Sequence, residues 1–243
     1  MLRPLAVAAG LLALSAGATH SARPFPRFGP GCVRADFRSG ATLVRAERCG
    51  PSSGPRAVIV LHGCGGFDTF DHRLTTDLPR FGIATLDLDY FAPTPPPGKR
   101  GFCDVWPRPL DVFARWQRVA VDAAAVLARS YRHVGAVGWS LGAGVAVSAA
   151  EDTRSFDAVA AFSALAYPPV LSRAARLPPT VFLDGGRRDI VPPQNARELF
   201  AAARAAGVPT ALYVYPDGTH DWPGRQGALG IARAAAFLRA HMR

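Results

Sequence analysis

The chain has 243 residues, 49% of them hydrophobic and 19% charged, a balance that suits one globular domain with a large core and excludes a disordered or coiled-coil chain. The formal net charge is +10, yet Lys99 is the only lysine and the arginines stand singly among alanines. A nucleic-acid surface needs a clustered basic footprint, so no nucleic-acid partner is expected.

Residues 1–22 read as a cleavable secretory signal, with Arg3 at the positive end, a short apolar core over 5–14 and Ala16-Gly17-Ala18 as a cleavage site. That core is too short to span a bilayer. The expectation is a periplasmic or secreted protein with no stable membrane insertion after signal removal, and residues 23–243 as one domain. The four cysteines, Cys32, Cys49, Cys64 and Cys103, include no C-x-x-C and no histidine at metal-ligand spacing. Stretches 33–38 and 41–48 meet at Ser39-Gly40, so a hairpin over about 31–50 would set Cys32 opposite Cys49. Cys64 is then left to pair with Cys103.

Residues 57–61 (Ala-Val-Ile-Val-Leu) form the continuous apolar run of a strand buried on both faces. His62-Gly63-Cys64-Gly65-Gly66 follows, where glycines let backbone N–H groups approach a ligand closely. The backbone of Cys64 is a candidate oxyanion donor, and His62 reads as support for its loop. A short helix is expected over 71–80, a strand over 82–91, and then a proline-rich irregular loop to about 108. A loop of that length is either a binding lid or a solvated connection. Apolar residues from Val112 to Leu127 recur every three or four positions, which predicts an amphipathic helix over 110–130.

The apolar run 134–137 meets Gly138-Trp139-Ser140-Leu141-Gly142 and passes into a stretch of small residues, 143–150. This is strand, sharp turn, helix, with Ser140 at the apex and the N–H of Leu141 at a helix N-terminus as a second oxyanion donor. Bulkier residues at 138 and 142 would collide with the neighbouring backbone. Strands are expected over 156–165, 180–186 and 210–216, with helices over 194–206 and 227–241. Strands alternating with helices predict an α/β fold, a mostly parallel sheet covered on both faces.

A serine hydroxyl needs a histidine to take its proton and a carboxylate to orient the imidazole. Ser140, Asp189 and His220 occur in the order Ser, Asp, His, each just after a strand. His133, His241 and His72 fail on placement, Asp184 is the rival to Asp189, and Asp217 and Asp221 read as turn or surface residues.

Leu61-His62-Gly63-Cys64-Gly65-Gly66, Leu88-Asp89-Tyr90-Phe91, Gly138-Trp139-Ser140-Leu141-Gly142, the 185–189 loop with Val191-Pro192, and Tyr215-Pro216-Asp217-Gly218-Thr219-His220 carry a resemblance to the dienelactone hydrolase family of α/β-hydrolases. It runs from about residue 57 to the C-terminus. The resemblance implies hydrolysis of a small carboxylic ester or lactone through an acyl-enzyme, with neither metal nor cofactor. Dienelactone hydrolases proper carry a cysteine nucleophile and a glutamate in the loop that here reads His62-Gly63-Cys64, so Ser140 marks a serine variant for which the resemblance does not imply the dienelactone substrate itself. A peptidase, a polyester depolymerase and a non-catalytic binding protein on the same fold are the alternatives. Substrate-contacting segments are expected over 91–106 and 167–179.

Overall fold

The computed structural model describes residues 29, 31–94, 101–103, 110–166 and 171–243. The expected signal segment, most of the 91–106 loop and residues 167–170 lie outside the described residues.

Four short strands open the chain, β1 (Cys32–Arg34), β2 (Phe37–Ser39), β3 (Thr42–Val44) and β4 (Ala46–Cys49). Then β5 (Gly54–Leu61), α1 (Thr69–Asp77) and β6 (Ala84–Leu88) lead to α2 (Leu110–Leu127), β7 (Tyr131–Trp139) and α3 (Leu141–Asp152). The chain ends with β8 (Val159–Phe162), β9 (Thr180–Asp184), α4 (Pro193–Ala205), β10 (Thr210–Val214) and α5 (Gly224–His241). Among the described residues eight strands form one sheet in the order β1-β4-β6-β5-β7-β8-β9-β10. From β6 to β10 all neighbours run parallel, and β4 and β1 continue the edge antiparallel.

The apolar runs read as two-sided strands divide their side chains between two cores. Ala57, Ile59 and Leu61 of β5 face the core shared with α2, α3 and α4, where Trp116, Val145 and Leu199 lie. Val58 and Val60 face the opposite core, with Phe70 and Leu74 of α1 and Ile231 and Leu238 of α5. The amphipathic stripe of α2 buries Trp116, Val119, Ala120, Ala123 and Leu127. At the start of α1, Asp68 accepts from the N–H groups of Phe70 and Asp71 at 2.7 and 3.3 Å, and Asp71 returns the bond to the Asp68 N–H.

The expected hairpin divides. Its base, β1 with β4, joins the main sheet and sets Cys32 opposite Cys49, whereas its tip, β2 with β3, is a separate two-stranded ladder. The division falls at Asp36 and Arg45: the Asp36 carboxylate takes the N–H of Ala46 at 3.1 Å, and the Arg45 carbonyl turns to the N–H of Asp89 at 2.9 Å. Disulfides join Cys32 to Cys49 and Cys64 to Cys103. The strand expected over 156–165 contracts to β8, because Ser163 turns out of it with φ 49°.

Register brings the ends of the parallel strands to one edge: Leu61 lies beside Gly138, Trp139 beside Phe162, Phe162 beside Leu183 and Asp184 beside Val214. The segments that begin at His62, Ser140, Ser163, Gly185 and Tyr215 all leave from that edge.

The Cys32–Cys49 bridge closes a loop of sequence separation 17 at the sheet margin. Replacing both cysteines by serine is expected to lower stability by about 3 kcal/mol, read as a lower urea midpoint with an unchanged far-UV spectrum.

Candidate active site

Ser140 sits between β7 and α3 with φ 55° and ψ −118°, a conformation that L residues rarely adopt. Its N–H donates to the Phe162 carbonyl at 2.8 Å. A Cβ at Gly138 would lie 2.3 Å from the Gly142 carbonyl oxygen, and one at Gly142 would lie 2.1 Å from that of Leu61. The two glycines let α3 meet β7 and β5 at backbone distance. Leu141 is the first residue of α3, so its N–H belongs to the free donors of the helix N-terminus.

His220 stands in the loop after β10, its Nδ1–H donating to Asp189 Oδ1 at 2.6 Å. The Trp139 indole N–H donates to the His220 carbonyl at 2.9 Å, and the two rings lie 5.1 Å apart. Gln226 of α5 clamps the same loop, accepting from the Thr219 N–H at 3.0 Å and donating to the Thr219 carbonyl at 2.9 Å.

Asp189 is a fully satisfied carboxylate. Oδ1 also accepts from the Val191 N–H at 2.8 Å, and Oδ2 accepts from the Ser163 hydroxyl at 2.5 Å and the Gly185 N–H at 3.1 Å. Burial pushes this carboxyl up, but the bonds from His220 and Ser163, the His220 charge and the Val191 N–H outweigh it and hold it below the usual range. Asp184, the rival, accepts from the Gly186 N–H at 2.8 Å through Oδ1, while its Oδ2 has no hydrogen-bond partner. Burial pushes it up to about 6.

Cys64 lies in the loop after β5, bridged to Cys103, and its carbonyl accepts from the Phe102 N–H at 2.7 Å. His62 is fully buried against Tyr90, Phe67 and Phe91, with Nδ1 donating to the Gly63 carbonyl at 2.9 Å. Burial pushes its imidazole down and so favours the neutral ring. The Tyr90 hydroxyl donates to the His62 carbonyl at 2.8 Å.

The structure thus brings Ser140, His220, Asp189 and the Cys64 and Leu141 backbone to one sheet edge. His133 lies near the start of β7 beside Asp157, His72 is in α1 and His241 ends α5. Asp217 forms an exposed ion pair with Arg187. Sequence reasoning missed Ser163, Trp222 and Gln226. The strand expected over 156–165 hid Ser163, which in the structure follows β8 as directly as Ser140 follows β7. Among the described residues, no group of three or more His, Cys, Asp or Glu is placed to hold a metal ion. No helix there is long and apolar enough to cross a membrane.

The family model for the dienelactone hydrolase family matches residues 99–240, more than half of the chain. The chain belongs to this family. Solved structures with the same fold include a dienelactone hydrolase from Anabaena variabilis, 19% identical, covering 87% of this chain and 98% of that one, with a TM-score of 0.65. An esterase from Pyrococcus furiosus is 17% identical, with 87% and 93% coverage and a TM-score of 0.69. A dienelactone hydrolase-like promiscuous phosphotriesterase from metagenomic libraries is 14% identical, with 86% and 98% coverage and a TM-score of 0.72. No curated protein matches the sequence. Membership of this family supports hydrolysis of a small-molecule ester by this dienelactone hydrolase relative.

The Asp184 carboxyl titrates near 6 when folded against an ordinary value of 3.8. A raised carboxyl pKa gives stability that is present below the unfolded value and is lost as pH rises through the folded one. Urea midpoints are therefore expected to move in favour of Asp184→Asn, relative to the parent, as pH rises from about 4 to about 7.

Proposed function

We propose that the protein is an exported serine hydrolase that cleaves carboxylic esters or lactones through an acyl-enzyme. The observation that carries this reading is the 2.6 Å bond between His220 and Asp189 at the same sheet edge as the strained Ser140. Ser140 Oγ attacks the carbonyl carbon as its proton passes to His220 Nε2. Nδ1–H stays bonded to Asp189, which fixes the tautomer and stabilises the imidazolium. The N–H groups of Cys64 and Leu141 hold the oxyanion of the tetrahedral intermediate. The intermediate collapses, the alkoxide leaves with the proton from His220, and water then attacks the acyl-Ser140 ester by the same route in reverse.

Two disulfides fit an extracellular or periplasmic setting, where thiols are oxidised. That agrees with a cleaved N-terminal signal.

The test is hydrolysis of p-nitrophenyl acyl esters of graded chain length. Ser140→Ala and Asp189→Asn are each expected to lose about 10⁴-fold in kcat, and Asp184→Asn to keep most of it. Parental turnover in Ser140→Ala overturns the reading. The Cys64–Cys103 bridge anchors the loop of one oxyanion donor, and Cys103 is exposed. Replacing both of these cysteines by serine is expected to lower kcat by about tenfold or more with KM little changed.

A further inference from the structure

Ser163 is fully buried at the end of β8, and its N–H donates to the Leu183 carbonyl at 2.7 Å. Its hydroxyl oxygen accepts from the Trp222 indole N–H at 3.1 Å. An indole N–H only donates and an ionised carboxylate only accepts. The one hydroxyl proton is therefore committed to Asp189 Oδ2, at the 2.5 Å of a charge-assisted bond.

Of the four groups that donate to Asp189, the Gly185 and Val191 N–H groups belong to its own loop and move with it, and His220 is the group to be oriented. Ser163 alone is fixed at the end of a separate strand, β8. It ties the carboxylate to the sheet.

Backbone strain points the same way. Ser140, Ser163 and Trp222 are the three non-glycine residues with positive φ among the described residues, at 55°, 49° and 49°. Such conformations persist where the surroundings over-determine them, and they gather at functional sites. Trp222 is fully buried, stacked on Phe70 with ring centroids 5.7 Å apart, so the indole is itself held in place.

We propose that Ser163, aligned by Trp222, is a positioning residue of the hydrolytic reaction, holding the Asp189 carboxylate in the orientation that serves His220. This rests on the assignment of Ser140, His220 and Asp189 made above. The titratable groups that face Asp189 are His220 and, at the end of β9, Asp184, which also feels Arg197 of α4. With the Ser163 proton gone, charge concentrates on Asp189. The Ser163 bond helps to hold the carboxyl down, so without it the Asp189–His220 pair takes up its proton at higher pH. This moves the acid limb of kcat/KM upward.

The experiment compares Ser163→Ala, Ser163→Gly, Trp222→Phe and Ser140→Ala with the parent mature protein on a p-nitrophenyl ester, from about pH 5 to about pH 9. Active sites are counted with a fluorophosphonate probe, so that misfolded protein does not enter kcat. Glycine accepts positive φ, so Ser163→Gly removes the hydroxyl without backbone strain. The expected result for both Ser163 variants is a loss of about tenfold in kcat per labelled site, with KM within about twofold and the acid limb raised by about half a pH unit. Trp222→Phe keeps a ring and loses the donor. It is expected to lose about threefold, with a shift of the same sign. Parental kcat and acid limb in both Ser163 variants, or a loss equal at every pH, overturns this inference alone, provided that Ser140→Ala is inactive. Turnover that survives in Ser140→Ala overturns the triad assignment and this inference with it.

Discussion

Backbone contact between α3 and the two strands beneath it is the constraint on which the site depends. The Cβ positions of Gly138 and Gly142 point into carbonyl oxygens at 2.3 and 2.1 Å, so any larger residue would push the helix off the sheet. With the helix that close, the chain has one residue in which to turn from β7 into α3. Ser140 takes the turn with positive φ, and its side chain is carried beyond the sheet edge. The same closeness dictates the small residues of α3, which is buried along residues 141–151. It also brings the helix N-terminus against the Leu61 and His62 carbonyls, where the other candidate oxyanion loop begins.

Burial alone does not decide what a carboxylate does at this edge. Asp184 and Asp189 are both buried and lie on one strand and its following loop. Asp184 has one backbone donor and an unpartnered oxygen, and its proton is held to about 6. Asp189 has four donors, and the bonds it accepts hold its carboxyl below the usual range. Only the second is a fixed negative charge able to stabilise an imidazolium. The difference comes from geometry within a few residues, where Gly185 leaves room for the carboxylate that a Cβ, 2.3 Å from Asp189 Oδ2, would fill.

Much of this was legible in the sequence, for physical reasons. Strands buried on both faces must be apolar without interruption, so 57–61, 134–137 and 181–183 declare themselves, and the parallel α/β sheet follows from their alternation with helices. The strand–Ser140–helix turn is legible because steric exclusion selects glycine at both flanks. Asp189 is harder to separate from Asp184 in sequence, since the choice lies in hydrogen-bond donors supplied by folded loops. The division of the N-terminal hairpin escaped because the Asp36 side chain replaces a ladder bond, and alternation patterns do not encode that. Ser163 escaped because the strand expected over 156–165 ran through it, and its partners stand 26 and 59 residues away.

The candidate oxyanion loop meets two opposed demands. Gly63 has to be glycine because a Cβ there would lie 2.6 Å from the Trp139 ring, and a Cβ at Gly101, with φ 64°, would lie 2.2 Å from the Cys64 carbonyl oxygen. Close approach of the backbone to a ring at Gly63 and to another backbone at Gly101 thus requires the residue type with the most conformational freedom to lose. Donors that stabilise a developing oxyanion, however, serve best when no reorganisation is needed at the moment of reaction. The loop reconciles these demands through contacts outside itself: the Cys64–Cys103 bridge, the Phe102 N–H on the Cys64 carbonyl and the Tyr90 hydroxyl on the His62 carbonyl. The bridge removes freedom from the glycine-rich segment while its glycines stay without side chains. A covalent tie of this kind fits a setting in which thiols are kept oxidised, so the same pair of cysteines links the order of the candidate site to its redox surroundings.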